Sequence, residues 1–158
     1  MHVRHLSVTV ERRGNHITPG DEERVVLFLE SQHVSAGVVA GEVGPNRGWY
    51  HLQCLMEVCT SSSKYFASYL KRWIWEGEPP AGAAICAKEL SGEGVHRWSP
   101  MIGYCLKDHV PGNTDFRAYH KGLTSAELEQ GRHDYALLGK DPIEKRIMLD
   151  KKNLFGKV

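Results

Sequence analysis

The most regular pattern of hydrophobic and polar positions in the chain covers residues 50–58. Apolar side chains occupy every second position there, and the intervening positions are polar except for Leu55. The apolar positions are Tyr50, Leu52, Cys54, Met56 and Val58, and the others are His51, Gln53, Leu55 and Glu57. Because successive side chains of a strand point to opposite faces, this alternation predicts a strand of an antiparallel sheet that helices cover on one side only.

Weaker patterns predict the elements around this strand. Three further strands are expected, over residues 3–10, 34–42 and 83–90. Three helices are expected to follow N-cap positions at Thr18, within Thr60–Ser63 and at Ser99, since Ser and Thr are good capping residues. Two more helical patterns, over residues 125–138 and 142–149, close the chain.

The order strand, helix, strand, strand, helix, strand predicts an α+β fold of the ferredoxin-like, split β-α-β type. We expect a central antiparallel sheet of about four to five strands with helices on one face, leaving the other face for a ligand. The predicted core spans residues 1–112. A helical C-terminal extension is expected over residues 113–158.

Composition restricts the class of protein. The 158 residues suit one globular domain, with 41% hydrophobic and 25% charged residues, and no apolar run reaches membrane-spanning length. The net charge of +1 does not suit a polycationic nucleic-acid coat, although it leaves room for a nucleic-acid partner with a small footprint. The charged, alternating N-terminus is unlike a signal peptide, and we expect an intracellular protein.

The four cysteines show no paired spacing of the kind that binds zinc. A zinc-structured interaction domain is therefore disfavoured. Free thiols in a reducing compartment are expected instead.

Candidate chemistry begins with His51 and Gln53, which lie on one face of the predicted strand with Cα atoms about 6.5–7 Å apart. An imidazole nitrogen and an amide oxygen at that separation can converge on one divalent ion. An ordinary solvated strand face is the alternative. Further along the chain, Tyr104 and Lys107 lie one helical turn apart on the third predicted helix, directly after Gly103.

These two stretches fit one reaction. A tyrosine can attack phosphorus to form a covalent ester, but its ordinary pKa near 10 requires a polarised phosphate and help in deprotonation. A metal ion at His51 and Gln53 would polarise the phosphate, and Lys107 would offset the negative charge that develops. Gly103 would let the DNA backbone come close.

A His-Leu-Gln strand motif (His51 to Gln53) followed by Tyr-Cys-Leu-Lys (Tyr104 to Lys107) resembles the HUH-superfamily replication-initiator (Rep) endonucleases. The similarity covers roughly residues 3–110 and is closest to the Rep proteins of circular single-stranded-DNA viruses, with related proteins in eukaryotic mobile elements. The resemblance implies that His51 and Gln53 are metal ligands. It also implies that Tyr104 is the nucleophile and Lys107 its supporting cation. Glu42 stands where the family often has an acidic third ligand. The family's first motif is met only loosely by the chain, in the strand from His5 to Val10.

The resemblance implies an enzyme that nicks and rejoins single-stranded DNA through a 5′-phosphotyrosine, using Mn²⁺ or Mg²⁺. Its substrate would be an origin or transposon-end sequence, with or without a hairpin, in the nucleus of a eukaryotic host. The chain contains no Gly-x-x-x-x-Gly-Lys-Ser/Thr motif, so a helicase domain or partner would have to lie outside these residues.

Several assignments have plain structural alternatives. Trp49 and Tyr50 flank the site strand and could stack on a base. Lys64 and Arg72 could contact phosphate or form a solvated helix face. A non-catalytic module that binds single-stranded nucleic acid on the same fold is the alternative function.

Overall fold

The computed structural model describes residues 1–43, 48–109 and 117–138, which form a five-stranded antiparallel sheet and four helices. In chain order the elements are β1 (His2–Arg12), α1 (Pro19–Glu30), β2 (Val34–Val43), β3 (Tyr50–Thr60), α2 (Ser63–Ile74), β4 (Ala83–Glu89), α3 (Trp98–Cys105), β5 (Ala118–Lys121) and α4 (Ser125–Leu137). The predicted α+β class is confirmed. The helix predicted over residues 142–149 lies outside the described residues.

The strands are ordered β4-β1-β3-β2-β5 across the sheet. The first four follow the ferredoxin-like order that the sequence predicts. β5 was not expected from the sequence; it pairs with the edge of β2, where Val39 lies opposite Tyr119. Part of the predicted C-terminal extension therefore belongs to the sheet.

One face of the sheet packs on α1 and α2. The apolar side of β3 is fully buried there at Leu52, Cys54 and Met56, as its alternation predicts. Helix α1 begins as expected, because the Thr18 side chain accepts a hydrogen bond from the Asp21 backbone N–H and Asp21 caps Thr18 in return.

Helices α3 and α4 lie on the other face. Met101 and Ile102 of α3 are buried in a cluster with Val38, Ala40 and Leu55 of β2 and β3. Leu55, the apolar exception on the polar side of β3, is completely buried in this cluster. The prediction of helices on one face holds for α1 and α2, whereas α3 and α4 cover part of the opposite face.

Helix α3 begins earlier than its sequence suggests. Its N-cap is Arg97, without a capping side-chain hydrogen bond, although Ser99 was the predicted cap. The Ser99 hydroxyl instead donates to the Asp134 carboxylate of α4 at 2.6 Å. Among the helices of the described part of the chain, none combines the length and apolar character that crossing a membrane requires.

Candidate metal and nucleophile site

The pairing of β2 with β3 places Glu42 directly opposite His51. Both side chains point to the face that carries α3, and His51 Nε2 lies 2.8 Å from Glu42 Oε1. His51 is 2% exposed and Glu42 7% exposed. The acidic residue proposed from the family resemblance is therefore in direct contact with the histidine.

The second ring nitrogen of His51 fixes the orientation of the imidazole. Nδ1 lies 3.1 Å from the backbone carbonyl oxygen of Trp49, which can only accept a hydrogen bond. Nδ1 therefore carries a proton and Nε2 faces the Glu42 carboxylate, which is also an acceptor. The contact at Nε2 is attractive only with a proton or another cation between the two atoms. A histidine that donates from one ring nitrogen to a backbone carbonyl is typical of metal ligands.

The spacing of these two atoms suits a cation. Adjacent ligands of an octahedral ion with bonds near 2.1 Å lie about 3 Å apart, close to the 2.8 Å between His51 Nε2 and Glu42 Oε1. Nitrogen and carboxylate donors of this kind accept Mn²⁺ and Mg²⁺. The residues present therefore fit a divalent ion.

Gln53 lies on the same face as His51, two residues along β3. Its amide oxygen accepts a hydrogen bond from Thr9 Oγ1 at 3.0 Å, and its amide nitrogen donates to Ser7 Oγ at 3.1 Å. Within the described ranges, no three His, Cys, Asp or Glu side chains form a possible metal site. Gln53 stays the predicted third ligand beside His51 and Glu42.

Glu42 also binds Lys107, whose ammonium contacts the second carboxylate oxygen. Burial alone would raise the pKa of Glu42, but the hydrogen bonds from His51 and Lys107 outweigh it and lower that pKa to about 2. Burial likewise favours the neutral form of Lys107, yet Glu42 and Tyr104 raise the pKa of its ammonium. The carboxylate is thus held in its charged form between the His51 ring and the Lys107 ammonium.

Tyr104 is the last residue in the series of contacts that runs from His51 through Glu42 and Lys107. The Lys107 ammonium lies 4.3 Å from the centroid of the Tyr104 ring. The phenol is half-buried, and burial together with the Glu42 charge raises its pKa although Lys107 opposes the shift. Within the described chain, no side chain or backbone group forms a hydrogen bond with the phenol oxygen.

Helix α4 holds α3 in place. Gly103 is buried against Gly131 and Tyr135, so a side chain at position 103 would collide with the α4 backbone. Arg132 donates to the backbone carbonyl of Leu106 at 3.3 Å, next to Lys107. The interpretation of Gly103 as a point of DNA approach is corrected, because the glycine serves the close packing of two helices.

Three predicted DNA contacts lie on the face of the sheet opposite His51. Lys64 and Arg72 are exposed on α2, which packs on the side opposite His51. Tyr50 also faces that side, where its hydroxyl donates to Glu22 at 2.7 Å. The structure thus does not bring these three residues together with His51, and it favours the alternative of a solvated helix face for Lys64 and Arg72. Trp49 lies next to His51, partly buried, with its indole N–H 3.4 Å from Glu11.

Ser7 and Thr9 are the site residues that the sequence analysis missed. They orient the Gln53 amide from β1, and Thr9 lies opposite Gln53 in the sheet. The alternation of β1 would have identified them, since every second residue from His5 onward faces the same side.

The chain was compared with known proteins. A family model described as Replitron, HUH endonuclease domain, matches residues 7–136. Searches of curated proteins and of solved structures found no match. The matched span contains all five residues of the site: Glu42, His51, Gln53, Tyr104 and Lys107.

Proposed function

The chain belongs to the Replitron HUH endonuclease domain family, and from this premise we propose that it nicks and rejoins single-stranded DNA with Tyr104 as its nucleophile. The family supports the class of nuclease. The tyrosine chemistry, the metal dependence and the biological role are our proposal.

One observation carries the proposal. A continuous series of contacts joins the His51 imidazole to Glu42, Glu42 to Lys107, and Lys107 to the ring of Tyr104. The metal ligands and the nucleophile inferred from distant parts of the sequence thus lie on one face of the sheet. A phosphate beside Tyr104 would lie near the Lys107 ammonium, which contacts both the Tyr104 ring and Glu42.

In the proposed step the Tyr104 phenol oxygen bonds to phosphorus as the bond from phosphorus to the 3′-oxygen breaks. The phenol loses its proton and the departing oxygen gains one, which leaves a 5′-phosphotyrosine and a free 3′-hydroxyl. Attack by a 3′-hydroxyl reverses the step and rejoins the strand. Because the pKa of the phenol is raised, nearby positive charge is needed, and Lys107 is the cation that the chain supplies.

His51, Glu42 and Gln53 would hold the divalent ion. When bound there, Mn²⁺ or Mg²⁺ would polarise the scissile phosphate. The Trp49 carbonyl orients the imidazole, and Thr9 and Ser7 orient the amide. These partners fix the ligands before the substrate arrives.

The role that we propose is initiation of rolling-circle replication or transposition at a specific single-stranded sequence, in a eukaryotic nucleus. A reversible nick that conserves the energy of the phosphodiester bond suits both processes, because the same site can later close the strand.

The test uses a library of single-stranded oligonucleotides with randomised sequence and a 3′ label, incubated with the protein and Mn²⁺. A 5′-phosphotyrosine keeps the labelled 3′ fragment on the protein, so we expect a labelled band on a denaturing gel. Peptide mass spectrometry should locate the nucleotide on Tyr104. Tyr104→Phe should abolish the band, whereas Tyr135→Phe, which alters the tyrosine packed against it, should keep it.

The same assay addresses the alternative function. Binding of the oligonucleotides that survives chelation and His51→Ala, with no adduct under any divalent ion, would identify a non-catalytic binding module. An adduct that persists in Tyr104→Phe would refute the assignment of the nucleophile.

A further inference from the structure

A second feature of the α3 face lies away from the metal ligands. A pocket of about 390 Å³ opens between the start of β1, the end of β4 and the N-terminal end of α3. Its walls include His5, Trp98, Arg97 and His96. Neither the metal site nor the nucleophile uses these residues.

Two flat rings form one wall of this pocket. The ring centroids of His5 and Trp98 are 4.4 Å apart, with an angle of 37° between the planes. Glu57 holds the His5 ring by a contact of 2.8 Å, and Trp98 packs on the buried cluster beneath α3. Both rings are only partly buried, so the pocket offers fixed aromatic surface of the kind on which nucleobases stack.

The rim of the pocket carries two guanidinium groups, those of Arg97 and Arg4. Arg97 and His96 are exposed, and the only side-chain hydrogen bond of Arg97 within the described chain is to the Gly94 carbonyl at 2.9 Å. Arg4 is partly neutralised by Glu89 at 2.8 Å. A guanidinium free to turn toward solvent beside aromatic rings suits a phosphate next to a stacked base.

The pocket and the proposed nuclease site share helix α3. Trp98 and Tyr104 are six residues apart on α3, both toward the same face of the sheet. A helix rises 1.5 Å per residue, so the two side chains are separated by roughly 9 Å along the axis, the span of about two to three stacked nucleotides.

We propose that this pocket binds one base of the single-stranded DNA, two to three nucleotides from the phosphate that Tyr104 attacks. Trp98 and His5 contact the base and Arg97 contacts a neighbouring phosphate. The spacing from the cut rests on the proposed function, whereas the base-binding role does not.

The test uses an oligodeoxythymidylate of about 12 nucleotides with 5-iododeoxyuridine at single positions, bound to the Tyr104→Phe protein so that no cleavage occurs. Fluorescence anisotropy gives the Kd, and ultraviolet crosslinking with peptide mapping gives the contacted residue. We expect crosslinks at Trp98 or His5. Trp98→Leu should weaken binding at least about five-fold, since stacking on one aromatic ring contributes that much affinity.

Tyr65→Leu is the matched control, because Tyr65 is an exposed aromatic residue on α2, on the opposite face, and its replacement should leave the Kd unchanged. If Trp98→Leu fails to fold, Arg97→Ala at an exposed position should still weaken binding. An unchanged Kd in the folded pocket variants would overturn the proposal. Failure of the nuclease proposal is recognised separately, by the absence of an adduct in the unmutated protein while pocket-dependent binding persists.

Discussion

The ammonium of Lys107 binds the carboxylate of Glu42 across 65 residues of sequence. Lys107 lies in the turn directly after the helix that carries Tyr104, whereas the sequence predicted it on that helix, and Glu42 lies on the strand beside the His51 strand. The ion pair fastens α3 to the sheet at the point where the metal ion and the phosphate would meet. The same contact puts Lys107 in competition with a divalent ion for Glu42.

Removing that competition should tighten metal binding. In Lys107→Met, Glu42 loses its cationic partner, so we expect the affinity for Mn²⁺ to rise about ten-fold, as expected for removing a like charge a few ångströms away. Isothermal titration calorimetry without DNA measures this directly. Lys107→Arg keeps the charge and should bind Mn²⁺ like the unmutated protein; weaker binding in Lys107→Met would contradict the competition.

Stability should depend on pH through Glu42. The pKa of its carboxyl is lowered from 4.5 to about 2 in the folded protein, so its stabilising contribution is complete above pH 4.5 and is lost as pH falls toward 2. The contribution is at most about 3 kcal/mol. Urea unfolding in chelator should therefore show Glu42→Gln destabilised at neutral pH, with the difference from the unmutated protein shrinking on acidification. A constant difference across this range would refute the prediction.

Gly103→Ala separates two roles of this glycine. Alanine favours a helix over glycine by about 1 kcal/mol, yet the added methyl group would meet the α4 backbone at Gly131. We expect a net loss of about 1–3 kcal/mol in the free energy of unfolding, because overpacking forces the two helices apart. Glu129→Ala, on an exposed position of α4, should cost little. A DNA-binding defect at unchanged stability would restore the DNA-approach role.

Metal binding should raise the melting temperature only when its ligands are intact. A saturating concentration of Mn²⁺ stabilises the folded state by mass action, and a concentration of 100 times the Kd contributes about 2.7 kcal/mol. Differential scanning fluorimetry should show this increase in the unmutated protein and its loss in His51→Ala. His120→Ala, a histidine on β5, serves as the control and should keep the increase.

Charge removal on α2 should leave DNA binding intact. Lys64 and Arg72 lie on the helix-covered face opposite the site, beyond the reach of a strand that follows α3. The double variant Lys64→Ala, Arg72→Ala should retain an oligonucleotide Kd within about two-fold of the unmutated value, since exposed charges on a remote face contribute little. A ten-fold weaker Kd at moderate salt would indicate that the DNA wraps around the sheet.

The period of a strand explains which site residues the sequence could predict. Alternation along β3 places His51 and Gln53 on one face and Tyr50 on the other, as the structure shows. The prediction of Tyr50 as a DNA contact went against that pattern, which puts its side chain on the face opposite His51, where it donates to Glu22. The side of Glu42 was undetermined, because Val38, Val39 and Ala40 of β2 are all buried and show no polar face.

Contacts between helices that are distant in sequence leave no pattern in the sequence comparable to the alternation of a strand. The Gly103–Gly131 crossing joins residues of two helices whose packing depends on the tertiary fold, and each glycine alone is ambiguous. β5 is four residues long, too short for its alternation to be distinguished from a loop. Helices α1 and α2 were easier to predict, because the capping residues Thr18 and Ser62 mark where they begin.

The packing of α4 on α3 has a practical consequence for anyone who would shorten this protein into a minimal DNA-tagging tool. A boundary drawn after Lys107 would keep the proposed reactive groups but discard α4, which packs against Gly103 and the Tyr104 ring. Such a fragment should keep the proposed metal ligands but lose the position of the Tyr104 ring. A shortened protein should therefore end beyond residue 138, after α4.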